Sequence, residues 1–285
     1  MSQVPGFAQA AEPSQTAVSS QAVPSAGTGR LRLPRAGRHL LVTAAYVVVI
    51  AGSWAWYVRA AHVPAFLLPA PGAVWDEVTS LASTGQLWGN VAYTVRNIVI
   101  GFASGIVIGV FLGYLLWVSR WAREILAPYI VLFQALPKIA LAPALVLWFG
   151  LGLPSQLALI LMLSFFPIMV STALGLRGIP GELAALGRLL GMGRWAYFRA
   201  VQFPGSLPSL FAGAKIAIVD AMTGAFLAEY IAAQRGLGYL MVVGTSTYNS
   251  AELVAAVLIT ITIGLLGFLA ITRAERLVIR WQPTT

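Results

Sequence analysis

The sequence predicts an all-α integral membrane protein with six transmembrane helices. Three observations carry this. Of the 285 residues, 59% are hydrophobic and only 9% are charged, whereas soluble domains carry roughly 25% charged residues; so few charges cannot cover the apolar surface of a soluble fold this size. The apolar residues gather in six runs long enough to cross a bilayer. The basic residues crowd into alternate connections between those runs. This composition excludes an ordinary soluble enzyme. It also excludes a nucleic-acid binder, because the net charge of +9 is explained by basic loops at a membrane surface. The absence of cysteine removes disulfides, thiolate metal sites, iron–sulfur clusters and cysteine nucleophiles. The two histidines, His39 and His62, flank the first apolar run, so histidine-based metal chemistry inside the membrane is not expected.

Residues 1–38 are rich in Ala, Ser, Pro, Gly and Gln without apolar periodicity, and read as a disordered cytoplasmic tail closed by Arg30, Arg32, Arg35 and Arg38. The remainder, 39–285, is the transmembrane domain. Leu40–Val58 makes a helix of about 28 Å. Its length, its long leader and Arg59 at the place of a cleavage site make it a signal anchor, not a removed signal peptide. Val74–Leu87, in the first outer loop with Asp76 and Glu77, reads as a short interfacial helix. Further spans are expected at Val91–Val118, Ile125–Phe149, Gln156–Leu176, Ser209–Tyr230 and Leu253–Thr272. Pro128, Pro137 and Pro143 require the third span to be kinked or broken, which is tolerated where protein or a water-filled cavity satisfies the freed backbone groups. The tail and the loops at 119–124, 177–205 and 273–285 hold thirteen arginines, the opposite loops only Arg59 and Arg235. That asymmetry places both termini and the 177–205 loop in the cytoplasm.

The 177–205 loop reads as a helix–turn–helix at the membrane surface. Leu183, Leu186 and Leu190 recur at helical spacing, Gly191-Met192-Gly193 breaks the helix, and an aromatic amphipathic segment, Arg194–Phe203, ends at Pro204. Taken alone this is equally an interfacial helix anchored by Trp195, Tyr197 and Phe198. Ala185-Leu186-Gly187, then Gly191, then Val201-Gln202-Phe203-Pro204 resembles the coupling-helix (EAA) loop of ABC importer permeases: Glu-Ala-Ala, three residues, Gly, nine residues, Ile, one residue, Leu-Pro. The spacing fits throughout. Ala185 replaces the acid, and Glu182, three residues earlier on the same face, stands where it could compensate. Leu136-Pro137-Lys138-Ile139-Ala140-Leu141-Ala142-Pro143 with Leu147-Trp148-Phe149-Gly150-Leu151-Gly152 is similar to the third core span of the nitrate/sulfonate/taurine branch. Glu229-Tyr230-Ile231 with Arg235-Gly236-Leu237-Gly238-Tyr239-Leu240, and Leu68-Pro69-Ala70-Pro71, are similar to other segments of that branch.

The resemblance implies a type I importer (MetI-like) permease fold with a cytoplasmic coupling helix, in the inner or plasma membrane. It implies a homodimer of permeases, two ATP-binding cassette ATPase subunits seated on the coupling loops, and an extracytoplasmic solute-binding protein. The implied coupling residues are Glu182, Ala185, Leu186, Gly187, Gly191, Val201, Phe203 and Pro204. No G-x-x-x-x-G-K-[ST] occurs, so the chain itself is expected to bind no cofactor, with ATP-Mg and its hydrolysis belonging to the partner. The implied solutes are small and polar or anionic: nitrate, taurine, alkanesulfonates, or pyrimidine and riboflavin-type vitamin precursors.

Ionisable residues at bilayer depth cost roughly 2.5–3.5 kcal/mol each on insertion scales, so each asks for a role. On straight helices Lys138 and Asp220 sit about 20 and 16 Å in. They are either a structural pair or, with Gln134, groups lining a solute pathway. Arg96 and Lys215 lie near span ends and can snorkel; Glu229 and Glu252 at outer ends either hydrogen-bond loop backbone or dock the binding protein. Gly101, Gly105, Gly109 and Gly113 form a small-residue packing stripe. An ion-coupled secondary transporter is the competing reading; it calls for more intramembrane acids and an inverted repeat. An intramembrane enzyme calls for paired carboxylates or histidines, which the spans lack.

Overall fold

The computed structural model describes residues 35–232 and 234–280. The described residues form eleven α-helices, one 3₁₀ turn and one π-helical turn, with no strand among them. The expected tail lies outside the described residues up to 34. At 35–38 the expectation is corrected: α1 (Arg35–Ala60) already begins at Arg35 and contains the first apolar run. Chain contacts divide within α1 after Val49, and the unit from Ile50 onward holds all the elements below.

Leu68-Pro69-Ala70 leads into α2 (Pro71–Ser83), where Pro71 occupies the first turn, a position with no intrahelical N–H bond to lose. Gly85, at φ +76°, turns the chain into α3 (Gln86–Val118), the 33-residue second span. α2 therefore starts and stops earlier than the Val74–Leu87 expected, because Thr84-Gly85 separates it from α3.

The third span is broken. α4 (Arg120–Ala135) meets the segment Lys138–Phe149, a 3₁₀ turn at Lys138–Leu141 followed by α5 (Ala142–Phe149), at a bend of 88°. Pro137 and Pro143 sit on either side of that turn, each without an N–H to donate. Pro128 is carried inside α4. Among the described residues, four single helices are long and apolar enough to cross a membrane, and five spans result if α4 and α5 count as one.

The core is three helices with α6 (Leu153–Arg177) in the middle, between α3 and α9 (Phe203–Ala232). Within a membrane, helices associate by close packing more than by burial of apolar surface, and the glycine stripe supplies that closeness. A Cβ added at Gly109 would lie 2.6 Å from Phe165 O, and one at Gly113 2.7 Å from Met169 O; Gly101 and Gly105 face Ile160 and Ser164 in the same way. The contacts advance in step, so α3 and α6 run parallel. Gly175, Gly213 and Gly224 bring α9 against α6 in the opposite direction.

Two connections differ from expectation. The segment Arg194–Ala232 is one continuous helical stretch: α8 (Arg194–Tyr197), the π turn Phe198–Gln202 and α9 follow without a break at Pro204. Phe203 N–H reaches back to Phe198 O, and the widened turn accommodates the proline that follows. The loop after the fifth span contains α10 (Leu237–Ser246). Its Leu237, Leu240 and Met241 are buried with Leu81, Leu87 and Ala256. α11 (Ser250–Val278) completes the chain, capped by Asn249 Oδ1, which accepts from Glu252 N–H at 3.3 Å.

Candidate functional site

The loop between α6 and α9 begins with α7 (Gly181–Leu189). Gly191 adopts φ +68°, Gly191 N–H donates to Arg188 O at 3.0 Å and Met192 N–H to Gly187 O at 2.9 Å. This is a Schellman end, which satisfies the last carbonyls and needs a left-handed residue. α7 and α8 cross at Gly187: a Cβ there would lie 2.7 Å from Tyr197 Cδ2. Of the residues expected to couple, Glu182, Ala185, Leu186 and Gly191 are exposed around α7 and its turn, and Gly187 is buried at the crossing. Val201, Phe203 and Pro204 lie in the π turn and the first turn of α9, at the base of the loop. The tip carries apolar side chains in the open: Leu189 is 85% exposed and Trp195 71%. Leu189 is the most exposed of these leucines and falls outside the periodic set.

Lys138 lies in the 3₁₀ turn at the break of the third span, its Nζ 4.9 Å from the centroid of the Phe166 ring on α6. The expected Lys138–Asp220 ion pair is not formed: the ion pairs among the described residues are Arg120–Glu124 at 2.8 Å and Lys215–Glu275. The sharp bend explains this. It moves Lys138 off the straight-helix path that set it opposite Asp220 and onto an aromatic face, where a cation is attracted by the ring quadrupole. Gln134 is exposed on α4. Arg96 rests 5.3 Å from the Tyr93 ring centroid. Lys215 is not near a helix end, because α9 begins at Phe203 and puts it twelve residues in; it is held there by Glu275 of α11.

At the other end of the bundle, α10 is capped from two other helices. Gly236 N–H donates to Asn90 Oδ1 at 2.7 Å, Leu237 N–H to Thr94 Oγ1 at 3.0 Å, and Gly238 N–H to Glu229 Oε2 at 3.1 Å. Thr94 Oγ1–H in turn donates to Glu229 Oε2 at 2.8 Å. Glu229 is buried, so of its two expected roles the structure selects hydrogen bonding to loop backbone. One turn along α3, Asn97 Nδ2 and Tyr93 Oη both donate to buried Gln156 Oε1 at 2.9 and 3.1 Å.

Residues 105–281 match the family described as binding-protein-dependent transport system inner membrane component. The chain belongs to this family. It is 35% identical over 235 residues to the riboflavin transport system permease protein of Chloroflexus aurantiacus, covering 81% of this chain and 86% of that one. It is 32% identical to the formylaminopyrimidine transport permease protein of Halalkalibacterium halodurans, over 76% of this chain and 86% of the relative. It is 30% identical to a putative aliphatic sulfonates transport permease protein of Escherichia coli, over 76% and 82%. Its fold is shared with a chain of the inward-facing methionine ABC transporter, with a TM-score of 0.60 at 22% identity, covering 68% of this chain and 96% of that one. A second likeness is to an amino acid ABC transporter chain, at a TM-score of 0.56 and 15% identity over 72% and 98%.

The chain is thus the membrane-spanning permease component of a binding-protein-dependent ABC importer, a role that entails an ATPase and a solute-binding partner. Sequence reasoning about this permease missed the capping of α10. Asn90 and Thr94 are ordinary residues on a helix, and only the approach of the distant Gly236–Gly238 segment gives them partners. The helix α10 was missed as well, although Leu237, Leu240 and Met241 stand at i, i+3 and i+4.

Proposed function

We propose that this permease forms half of a homodimeric translocation pathway, with the 177–205 loop seated in a groove of a cytoplasmic ATPase subunit and both termini on that side. The observation that carries the reading is the tip of the loop: Leu186, Leu189, Leu190 and Trp195 stand exposed around a turn held rigid by its own hydrogen bonds. Apolar side chains grouped in this way mark a docking surface. Glu182, Ala185, Leu186, Gly187 and Gly191 make the knob, and Val201, Phe203 and Pro204 join it to α9. ATP-Mg is bound and hydrolysed in the partner. Two ATPase subunits serve two copies of this chain.

The pathway passes the break in the third span, where Lys138, Gln134 and Asp220 present polar groups to a small polar or anionic solute. The relatives named for riboflavin and formylaminopyrimidine favour a nitrogen-heterocyclic vitamin precursor; the sulfonate relatives make a small sulfonate the second reading. Two experiments test this. Gly191→Arg is expected to insert normally and lose its ATPase on purification; a variant that keeps the ATPase and transports normally overturns the loop assignment. Binding of riboflavin, formylaminopyrimidine, taurine, an alkanesulfonate and nitrate to the partner solute-binding protein identifies the solute, and tight binding of none of them overturns the proposed class.

A further inference from the structure

Both ends of the loop converge on one turn of α3. At its start, Arg177 Nη2–H donates to Leu116 O at 3.3 Å, and Arg123 Nε–H of α4 donates to the same carbonyl at 3.3 Å. At its far end, Phe198 in the π turn stands 5.6 Å from the Tyr114 ring, edge-on, and 6.4 Å from Trp117; Trp195 stacks on it at 5.6 Å and Phe203 lies at 6.2 Å. Tyr114 and Trp117 are themselves 5.7 Å apart. The neighbouring residue, Tyr197, points the other way and fills the space over Gly187 of α7. Two consecutive aromatic residues therefore bridge the first loop helix to α3. Behind that turn the glycine stripe leaves α3 no room to shift independently of α6.

We infer that the Tyr114–Trp117 turn of α3 anchors the loop, and that Phe198 is the positioning residue through which a displacement of the loop is carried into the α3–α6 pair. Chain continuity into α9 is the other route, and it runs through a π turn, a single wide turn flanked by proline. Aromatic contacts at these centroid distances are favourable beyond the area they bury, and packed interfaces pass on motion because they are not continuously deformable. The inference rests on the reading of the loop as the ATPase seat.

The test uses the complete transporter reconstituted with its ATPase and solute-binding protein. Phe198→Ala is expected to keep the ATPase bound and its unstimulated hydrolysis intact, while solute moved per ATP falls about fivefold or more, as for loss of typical coupling between sites. Trp117→Leu, across the contact and outside the loop, is expected to do the same, and the double variant no more than either alone. The chain has no cysteine, so Trp117→Cys with Phe198→Cys gives it a single thiol pair; joining the pair with a short bis-maleimide is expected to restore the ratio that the unlinked pair loses. Transport and hydrolysis falling in proportion, additive losses, no recovery on linking, or loss of the ATPase from Phe198→Ala would each overturn the anchor. Gly191→Arg in parallel separates the two readings. If that variant stays coupled, the seat itself is wrong; if it detaches the ATPase while Phe198→Ala stays fully coupled, only the anchor is wrong.

Discussion

Replacing Glu229 by alanine tests what holds α10. Its Oε2 accepts from Thr94 Oγ1–H at 2.8 Å and from Gly238 N–H at 3.1 Å, and the residue is 1% exposed. Truncation strands two buried donors. A stranded buried donor costs about 1–3 kcal/mol, so the loss is at most about 2–6 kcal/mol, reduced by relief of the buried carboxylate's own desolvation. Glu229→Gln keeps a carbonyl acceptor for both donors and is expected to lose about 1 kcal/mol. The exposed Glu182→Gln is the control, expected within about 0.5 kcal/mol. Thermal unfolding of the purified permease in detergent, at one scan rate, ranks the three. Trypsin gives a local readout: Arg235 is exposed beside Gly236, and release of the capped turn should speed cleavage after it. If Glu229→Ala unfolds and is cleaved like the native chain, the hydrogen bonds contribute nothing, and the apolar contacts of Leu237, Leu240 and Met241 alone hold α10.

Gly109→Ala must push α3 from α6, because its Cβ would lie 2.6 Å from Phe165 O; overpacking of about 1–3 kcal/mol outweighs the helix gain of about 0.5–1 kcal/mol. Gly89→Ala in the same helix meets nothing within 4 Å and should be neutral or stabilising, and equal melting points for the two would refute the stripe as a packing device. For Lys138→Met and Asp220→Leu, the absence of an ion pair predicts additive stability changes, with transport of an anionic solute falling for Lys138→Met; a double-mutant coupling above about 1 kcal/mol would restore the pair. Gly191→Ala strains the left-handed turn by about 1–2 kcal/mol and should weaken ATPase binding less than Gly191→Arg. A Cβ at that position meets nothing within 4 Å in this chain, so the difference reports the partner's groove, and equal losses would refute that groove.

Much of the site was legible because it is local. The turn at Gly191 follows from two glycines beside an apolar helix, and the loop spacing from Ala185 to Pro204 follows from chain order alone. The Lys138–Asp220 pairing misled for a related reason: depths counted along straight helices place the two residues level, and an 88° bend invalidates the count. Pro137 and Pro143 announced the break, but a proline states only that a bond is missing and leaves the bend direction to the neighbours.

The sequence by itself determined the class of molecule, the apolar runs, the break in the third span and the glycine face of α3, since these depend on composition and on periodicities of a few residues. Tertiary structure alone decided which helix meets that face, that α10 folds back to be capped by Asn90, Thr94 and Glu229, that Lys138 rests on Phe166, and that Phe198 meets Tyr114 and Trp117. Apart from the Glu229–Gly238 bond, each of these joins residues tens to well over a hundred positions apart. A side chain's partner at that separation is set by how close two helices can approach and at what rotation, and that is a property of all the packed surfaces together, which no single stretch of sequence carries.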